Sequence, residues 1–178
     1  MRKVVLFIAM SIDGYIATED HDLTWLNIAE KEGEDYGYKA LYDQADTYIV
    51  GRKTYDIICS FTDGKLPQAE NMDCYILTKQ DIPSQNNITF YNQDLETLIS
   101  KLKQKEGKTI VCDGGSEVVK LLMEKNLIDE YIITVIPTIL GSGIPLFKGG
   151  IDPIKIKAQP SKYFDNGVVQ LHYTKEAE

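Results

Sequence analysis

Thr109-Ile110-Val111-Cys112-Asp113-Gly114-Gly115-Ser116-Glu117 is a run of β-forming residues that ends in two glycines and opens a segment of helical spacing, Val118, Leu121 and Leu122. Earlier in the chain, Thr47-Tyr48-Ile49-Val50-Gly51-Arg52-Lys53-Thr54 has the same construction. Glycine lets backbone come close to a ligand, and the free N–H groups at a helix start attract anions. One such turn is ordinary in α/β proteins. Two describe a pair of phosphate cradles, the requirement of a dinucleotide, and point to an enzyme with a nucleotide cofactor.

Outward from these turns, strand-like runs fall near 3–10, 46–51, 72–78, 87–91, 108–112, 130–136, 153–163 and 167–174. Leu95, Leu98, Ile99 and Leu102 follow the i, i+3, i+4, i+7 template of a helix, with Asp94 placed to cap it. A first helix is expected over about 33–44, with Tyr38, Leu41 and Tyr42 on one face. Alternation of strands and helices implies a mostly parallel twisted sheet covered on both faces. Asp165-Asn166-Gly167 lies between two strand-like runs, and Asn-Gly tolerates the positive φ of a tight hairpin. The expected fold is therefore α/β, with flanking helices and a C-terminal antiparallel hairpin.

With 178 residues, 43% of them hydrophobic, and no repeat or linker, the chain is expected to form a single domain over 1–178. Its start, Val4-Val5-Leu6-Phe7-Ile8-Ala9-Met10, is read as a core strand, since no small-residue cleavage site follows it. No stretch is long enough to span a membrane as a helix. Nineteen basic against 27 acidic residues, a net −8, argue against nucleic acid or an anionic membrane as partner. Cys59, Cys74 and Cys112 show no CxxC spacing and are taken as reduced thiols of a cytoplasmic protein. His21 and His172 are too isolated for a metal centre, so no metal is expected.

The Rossmann pattern G-x-G-x-x-G and the P-loop are both absent. Arg52 and Lys53 at a helix start would suit a phosphate by charge and hydrogen bonding, or be a solvated helix end. Thr78 and Lys79 follow Leu77 at the end of a strand, the edge at which open sheets bind ligands.

Four segments then occur in order: Ala9-Met10-Ser11-Ile12-Asp13-Gly14-Tyr15-Ile16-Ala17, Gly51-Arg52-Lys53-Thr54-Tyr55, Asp113-Gly114-Gly115-Ser116, and Leu140-Gly141-Ser142-Gly143-Ile144-Pro145-Leu146-Phe147. Together they resemble the dihydrofolate reductase superfamily, in the branch holding the C-terminal reductase domain of the bifunctional riboflavin-biosynthesis protein RibD. The resemblance runs from about residue 3 to 174 and implies NADPH as cofactor. By that likeness Ala9 and Ile16 flank the nicotinamide, and Gly51, Arg52, Lys53 and Thr54 receive phosphate. Leu77, Thr78 and Lys79 correspond to the edge that holds the adenosine ribose and its 2′-phosphate. Gly114, Gly115, Ser116 and Glu117 correspond to the pyrophosphate cradle.

The resemblance further implies a pterin- or pyrimidine-like substrate. Asp35, sixteen residues before Gly51, resembles the substrate-binding carboxylate of the folate reductases, and Thr134 the threonine that partners it. These two are the candidate catalytic residues, Asp35 with its pKa expected to be raised by neighbouring acids and a partly dry pocket. The alternative for Asp35 is a charge in the acidic run Glu30, Glu32, Glu34, Asp35 at a helix start. The folate enzymes carry Trp followed by Leu-Pro; this chain has Trp25-Leu26-Asn27 and no zinc-deaminase motif. The implied activity is reduction of 5-amino-6-(5-phosphoribosylamino)uracil, with dihydrofolate reduction as the nearest alternative and a non-catalytic nucleotide-binding protein as a third. A homodimer is expected from the same likeness and from the glycine-broken apolar stretch Ile139–Phe147.

Overall fold

The computed structural model describes residues 1–176; the last two residues of the expected 1–178 domain lie outside the described residues. Six strands run parallel: β1 (Val4–Ser11), β3 (Ala45–Gly51), β4 (Asp73–Leu77), β5 (Ile88–Tyr91), β6 (Thr109–Cys112) and β7 (Glu130–Ile136). Between β1 and β3 lies β2 (Tyr15–Ala17); after β7 come β8 (Ile144–Pro145), β9 (Ile156–Ala158), β10 (Lys162–Tyr163) and β11 (Val169–Lys175). The main sheet has the order β10-β11-β7-β1-β6-β3-β4-β5, with β9 also paired to β11. β11 lies antiparallel to β7, and β10 returns on it through Asn166 and Gly167, whose φ of 85° is the left-handed value the Asn-Gly turn needs.

Period-2 alternation sorts the strand residues between two cores. Val4, Leu6, Ile49, Ile110 and Cys112 face helices α3 (Leu95–Gln104) and α4 (Ser116–Glu124). Tyr48, Val50, Val111 and Ile76 face the other way, against residues of α1 (Tyr38–Tyr42) and α2 (Arg52–Phe61). Burying one such aliphatic side chain contributes about 1.5–3 kcal/mol. Leu95, Leu98, Ile99 and Leu102 are all buried, and Asp94 caps α3 by accepting from the Thr97 N–H at 2.7 Å.

Three sequence expectations change. The helix expected over 33–44 shrinks to Tyr38–Tyr42, because Gly33, Tyr36 and Gly37 all take positive φ and turn the chain out of the helix. The run 153–163 is two short strands, 156–158 and 162–163, separated around Pro160, which has no N–H for a ladder. The pairing of β2 with β8 is new. It is held by Asp13, whose carboxylate accepts from the Leu140 and Gly141 N–H groups at 3.1 and 2.7 Å and from the Ser11 hydroxyl at 2.6 Å. Gly143 completes the closure, since a Cβ there would stand 2.3 Å from the Ala17 carbonyl oxygen.

Candidate active site

Because β1, β3, β4, β6 and β7 are parallel, their C-terminal ends share one edge of the sheet. A cleft of about 1330 Å³ opens there. Gly51, Arg52, Lys53 and Thr54 line it after β3; Leu77, Thr78 and Lys79 line it after β4. Gly115, Ser116 and Glu117 line it after β6, and Ala9 and Ile16 form its floor beside β1 and β2. Gly114 lies directly behind, its carbonyl accepting from the Gly51 N–H at 3.1 Å. The cofactor residues read from the sequence thus converge on one concavity.

Two helices start in this cleft, α2 after Gly51 and α4 after Gly115, and neither start is capped by a side chain. Uncapped starts leave N–H groups free for an anion and place the positive ends of two helix dipoles side by side. The two turns also leave no room for larger residues. A Cβ on Gly51 would lie 3.0 Å from Val118 Cγ2, and one on Gly115 would lie 3.0 Å from Thr54 Oγ1. Positive φ belongs to Gly114, at 110°, and not to Gly115. Arg52 is drawn away from free solvent by Asp56, at 2.7 Å, and its guanidinium sits 5.7 Å from the Phe90 ring centroid. Among the described residues Lys53 and Lys79 form no ion pair, so they are the cations most available to a phosphate.

A second cavity of about 540 Å³ shares Phe7, Ile8, Ala9 and Leu26 with the first and continues from it. Asp35 and Thr134 both line it. Thr134 is buried on β7; Asp35 is exposed in the loop before α1. The Asp35 carboxylate accepts from the Lys39 and Gly37 N–H groups at 2.9 and 2.8 Å, so it serves the start of α1 while facing the cavity. Those bonds hold its pKa below the usual carboxylate range, the reverse of the shift expected from the acidic run. Asp35 is an acceptor here. The wall also carries Glu30, Glu32 and Glu34 against one lining cation, Lys31, which is itself paired with Asp165.

Asp113 is the residue that sequence reasoning passed over. It is quoted above only as part of a turn, yet it lines the larger cleft next to Phe7, one step beyond the Leu6–Cys112 pairing of β1 and β6. Burial pushes its carboxyl up to about 6, partly offset by hydrogen bonds donated by the Tyr48 hydroxyl at 2.9 Å and the Tyr42 hydroxyl at 3.4 Å. The signal was present: an acid directly after the apolar strand Ile110-Val111-Cys112 must be buried or aimed into a cleft. Such a carboxyl exchanges a proton near neutral pH, which is what an acid catalyst requires. The neighbouring Cys112 thiol is pushed up to about 12 by burial and stays protonated.

Compared with known proteins, the sequence matches the profile of the RibD C-terminal domain over residues 2–170. The chain belongs to the RibD C-terminal domain family. It is 41% identical over 175 residues to the uncharacterized protein YwjB of Bacillus subtilis, covering 98% of both chains. A solved structure from Shewanella sp. PV-4, whose given name assigns it provisionally to riboflavin biosynthesis, superposes with a TM-score of 0.87 at 27% identity, over 98% of this chain and 99% of that one. Dihydrofolate reductase from Enterococcus faecalis, solved with NADP(H), shares the fold at a TM-score of 0.67 and 18% identity, over 98% and 97% of the two chains. The RibD-type and dihydrofolate-reductase-like fold expected from the four motifs is the fold of this chain, and its family is one of reductase-like domains. Among the described residues no helix is long and apolar enough to cross a membrane.

Proposed function

We propose that this protein is an NADPH-dependent reductase of a pterin- or pyrimidine-like small molecule, working as a homodimer in the cytoplasm. The observation that carries this reading is the junction of two cavities. One has two uncapped helix starts, and the other is lined by Asp35 and Thr134, with Ala9 lining both. When bound, NADPH supplies a hydride at the face of its nicotinamide. Gly51 to Thr54 and Gly114 to Glu117 hold its phosphates, and Lys79, with Lys53, meets the 2′-phosphate. Ala9 and Ile16 position the ring and keep water from it. Asp35 accepts N–H groups of the substrate ring, and Thr134 supports that contact. Asp113, with its carboxyl near neutrality, supplies the proton that accompanies reduction.

Within this class the family favours 5-amino-6-(5-phosphoribosylamino)uracil, with dihydrofolate second. Among the described residues the wall of the second cavity carries Glu30, Glu32, Glu34 and Asp35 against the one lining cation Lys31, so recognition falls on the ring. NADPH oxidation followed at 340 nm, with the phosphorylated pyrimidine, its dephosphorylated form and dihydrofolate offered in turn, tests the reading. Tight NADPH binding without turnover of any of them would leave a nucleotide-binding protein. Light scattering tests the dimer, and a single species near 20.1 kDa at micromolar concentration would reject it.

A further inference from the structure

Gln170 is buried at 6% exposure on β11, directly opposite Thr134 of β7. Its side-chain Nε2 donates to Thr134 Oγ1 at 3.0 Å and to the Tyr36 carbonyl oxygen at 2.8 Å. The orientation of this amide is fixed by chemistry. A carbonyl can only accept, so the group facing Tyr36 has to be the NH2, and that same nitrogen touches Thr134. Thr134 Oγ1 is therefore an acceptor towards the protein. Its own hydrogen has no acceptor among the described residues and is left for the cavity that Thr134 lines.

The Tyr36 contact acts on the other wall. Tyr36 follows Asp35 and holds φ at 53°, an unfavourable conformation for a residue with a side chain. Several contacts keep it there. Asn166 Nδ2 donates to the Tyr36 hydroxyl at 2.6 Å, and the Phe164 ring meets the Tyr36 ring edge-on at 4.8 Å. Gln170 is the member of this set that also reaches the sheet. One amide thus joins the backbone beside Asp35 to the hydroxyl of Thr134, from a strand that itself contributes no residue to the cavity lining.

We infer that Gln170 is a positioning residue: it fixes Thr134 as a hydroxyl donor to the substrate ring and holds the Asp35 wall at the matching distance. This rests on the reading of the Asp35–Thr134 cavity as the substrate site. Loss of both donors frees the Thr134 hydroxyl to rotate and lets the Tyr36 segment drift, while the cofactor cleft, which Gln170 does not touch, keeps its shape.

The test uses the full chain labelled with 13C and 15N. Three-bond couplings from Thr134 Cγ2 to its backbone nitrogen and carbonyl report whether χ1 occupies one staggered well. The wild type should show a single rotamer; averaged couplings in the wild type would overturn the inference even if every variant failed to fold. Gln170→Met keeps the length of the side chain and removes its donors, and Gln170→Glu keeps the shape but sets an acceptor against the Tyr36 carbonyl. Both should give averaged Thr134 couplings, with NADPH affinity within about twofold of wild type. On whichever ring substrate is turned over, KM should rise by about tenfold, the equivalent of one hydrogen bond. A purely structural role predicts a lower Tm with unchanged couplings, and that result would overturn the inference. If no ring substrate is turned over, the reductase reading fails by that assay, while the couplings still decide the role of Gln170.

Discussion

Replacing Asp113 with asparagine is expected to stabilise the fold near neutral pH and to remove the proton donor. The carboxyl sits among Tyr48, Tyr42 and Cys112 and is raised from the ordinary 3.8 to about 6, chiefly by burial. A folded-state pKa above the unfolded one means that the native protein holds this proton more tightly. The associated stability is fully present below about pH 4 and is lost as pH rises through about 6. A shift of roughly two units corresponds to about 3 kcal/mol in all, of which about 2 kcal/mol falls between about pH 4.5 and about pH 7.5. Asparagine has the same shape and does not ionise. Its Oδ1 can accept from Tyr48, and the Tyr42 hydroxyl can turn to accept from Nδ2. Urea unfolding of both proteins across that range gives the difference directly. Carboxylates held below their usual range, such as Asp13, Asp35 and Asp94, titrate in the opposite sense but cancel between the two proteins. The variant should gain about 2 kcal/mol on wild type as pH rises. Its turnover should drop by about 10²–10⁴-fold, the usual worth of general acid catalysis, with NADPH affinity little changed. A stability difference that stays flat over the range would refute the buried, costly ionisation. Full turnover in the variant would move the proton source elsewhere.

Further expectations concern the two cavities separately. NADPH should bind about tenfold more tightly than NADH, one charge-assisted contact at the 2′-phosphate being worth roughly 1.5–3 kcal/mol. Calorimetry should show Lys79→Ala eroding that ratio more than Arg52→Ala, whose guanidinium already answers Asp56; equal affinities in the wild type would sink the NADPH assignment. Gly115→Val should abolish NADPH binding in a protein with native circular dichroism, because the new side chain enters the space beside Thr54 Oγ1, where even a Cβ comes to 3.0 Å. Undiminished affinity would remove the second cradle. Asp35→Asn should lower turnover at saturating cofactor without changing NADPH affinity, since an amide offers the substrate ring one acceptor and mismatched donors. Full activity would reduce Asp35 to its bonds with Gly37 and Lys39.

The parts legible from sequence are those set by chemistry within a few residues. Asp94 caps α3 because its carboxylate reaches only three residues ahead, and Asn166-Gly167 turns the last strands because two neighbouring residues tolerate positive φ. The glycine turns after β3 and β6 were readable for the same reason, and with them the cleft at the C-terminal ends of the strands. What failed to show depends on partners far along the chain. β2 and β8 are three and two residues long, and their pairing is supported by Asp13 on the N–H groups of residues 140 and 141 and by the Leu146 N–H on the Gly14 carbonyl. α1 lost its first turns to Tyr36, a residue whose left-handed backbone is secured by Asn166 and Gln170, more than a hundred positions away. The facing of Gln170 and Thr134 is a matter of strand register, and a one-residue slip would have turned Gln170 away from Thr134.

Three aspartates named in the sequence reading, Asp13, Asp35 and Asp113, show why residue type alone could not assign the chemistry. Asp13 is exposed and holds two loops together; hydrogen bonds, first from Ser11 and then from the 140–141 backbone, keep its pKa low. Asp35 is also exposed and kept ionised, by backbone donors at the start of α1, so it can anchor N–H groups but cannot release a proton near neutral pH. Asp113 alone is raised, because two tyrosine hydroxyls are too few to replace the water that burial removes. In the reductase proposed above one carboxylate accepts and one donates, and the environments of Asp35 and Asp113 suit those two tasks. Asp35 lines the smaller cavity, and Asp113 lines the larger one together with Phe7, which lines both. On the proposed roles, the pH dependence of turnover should follow Asp113 rather than Asp35.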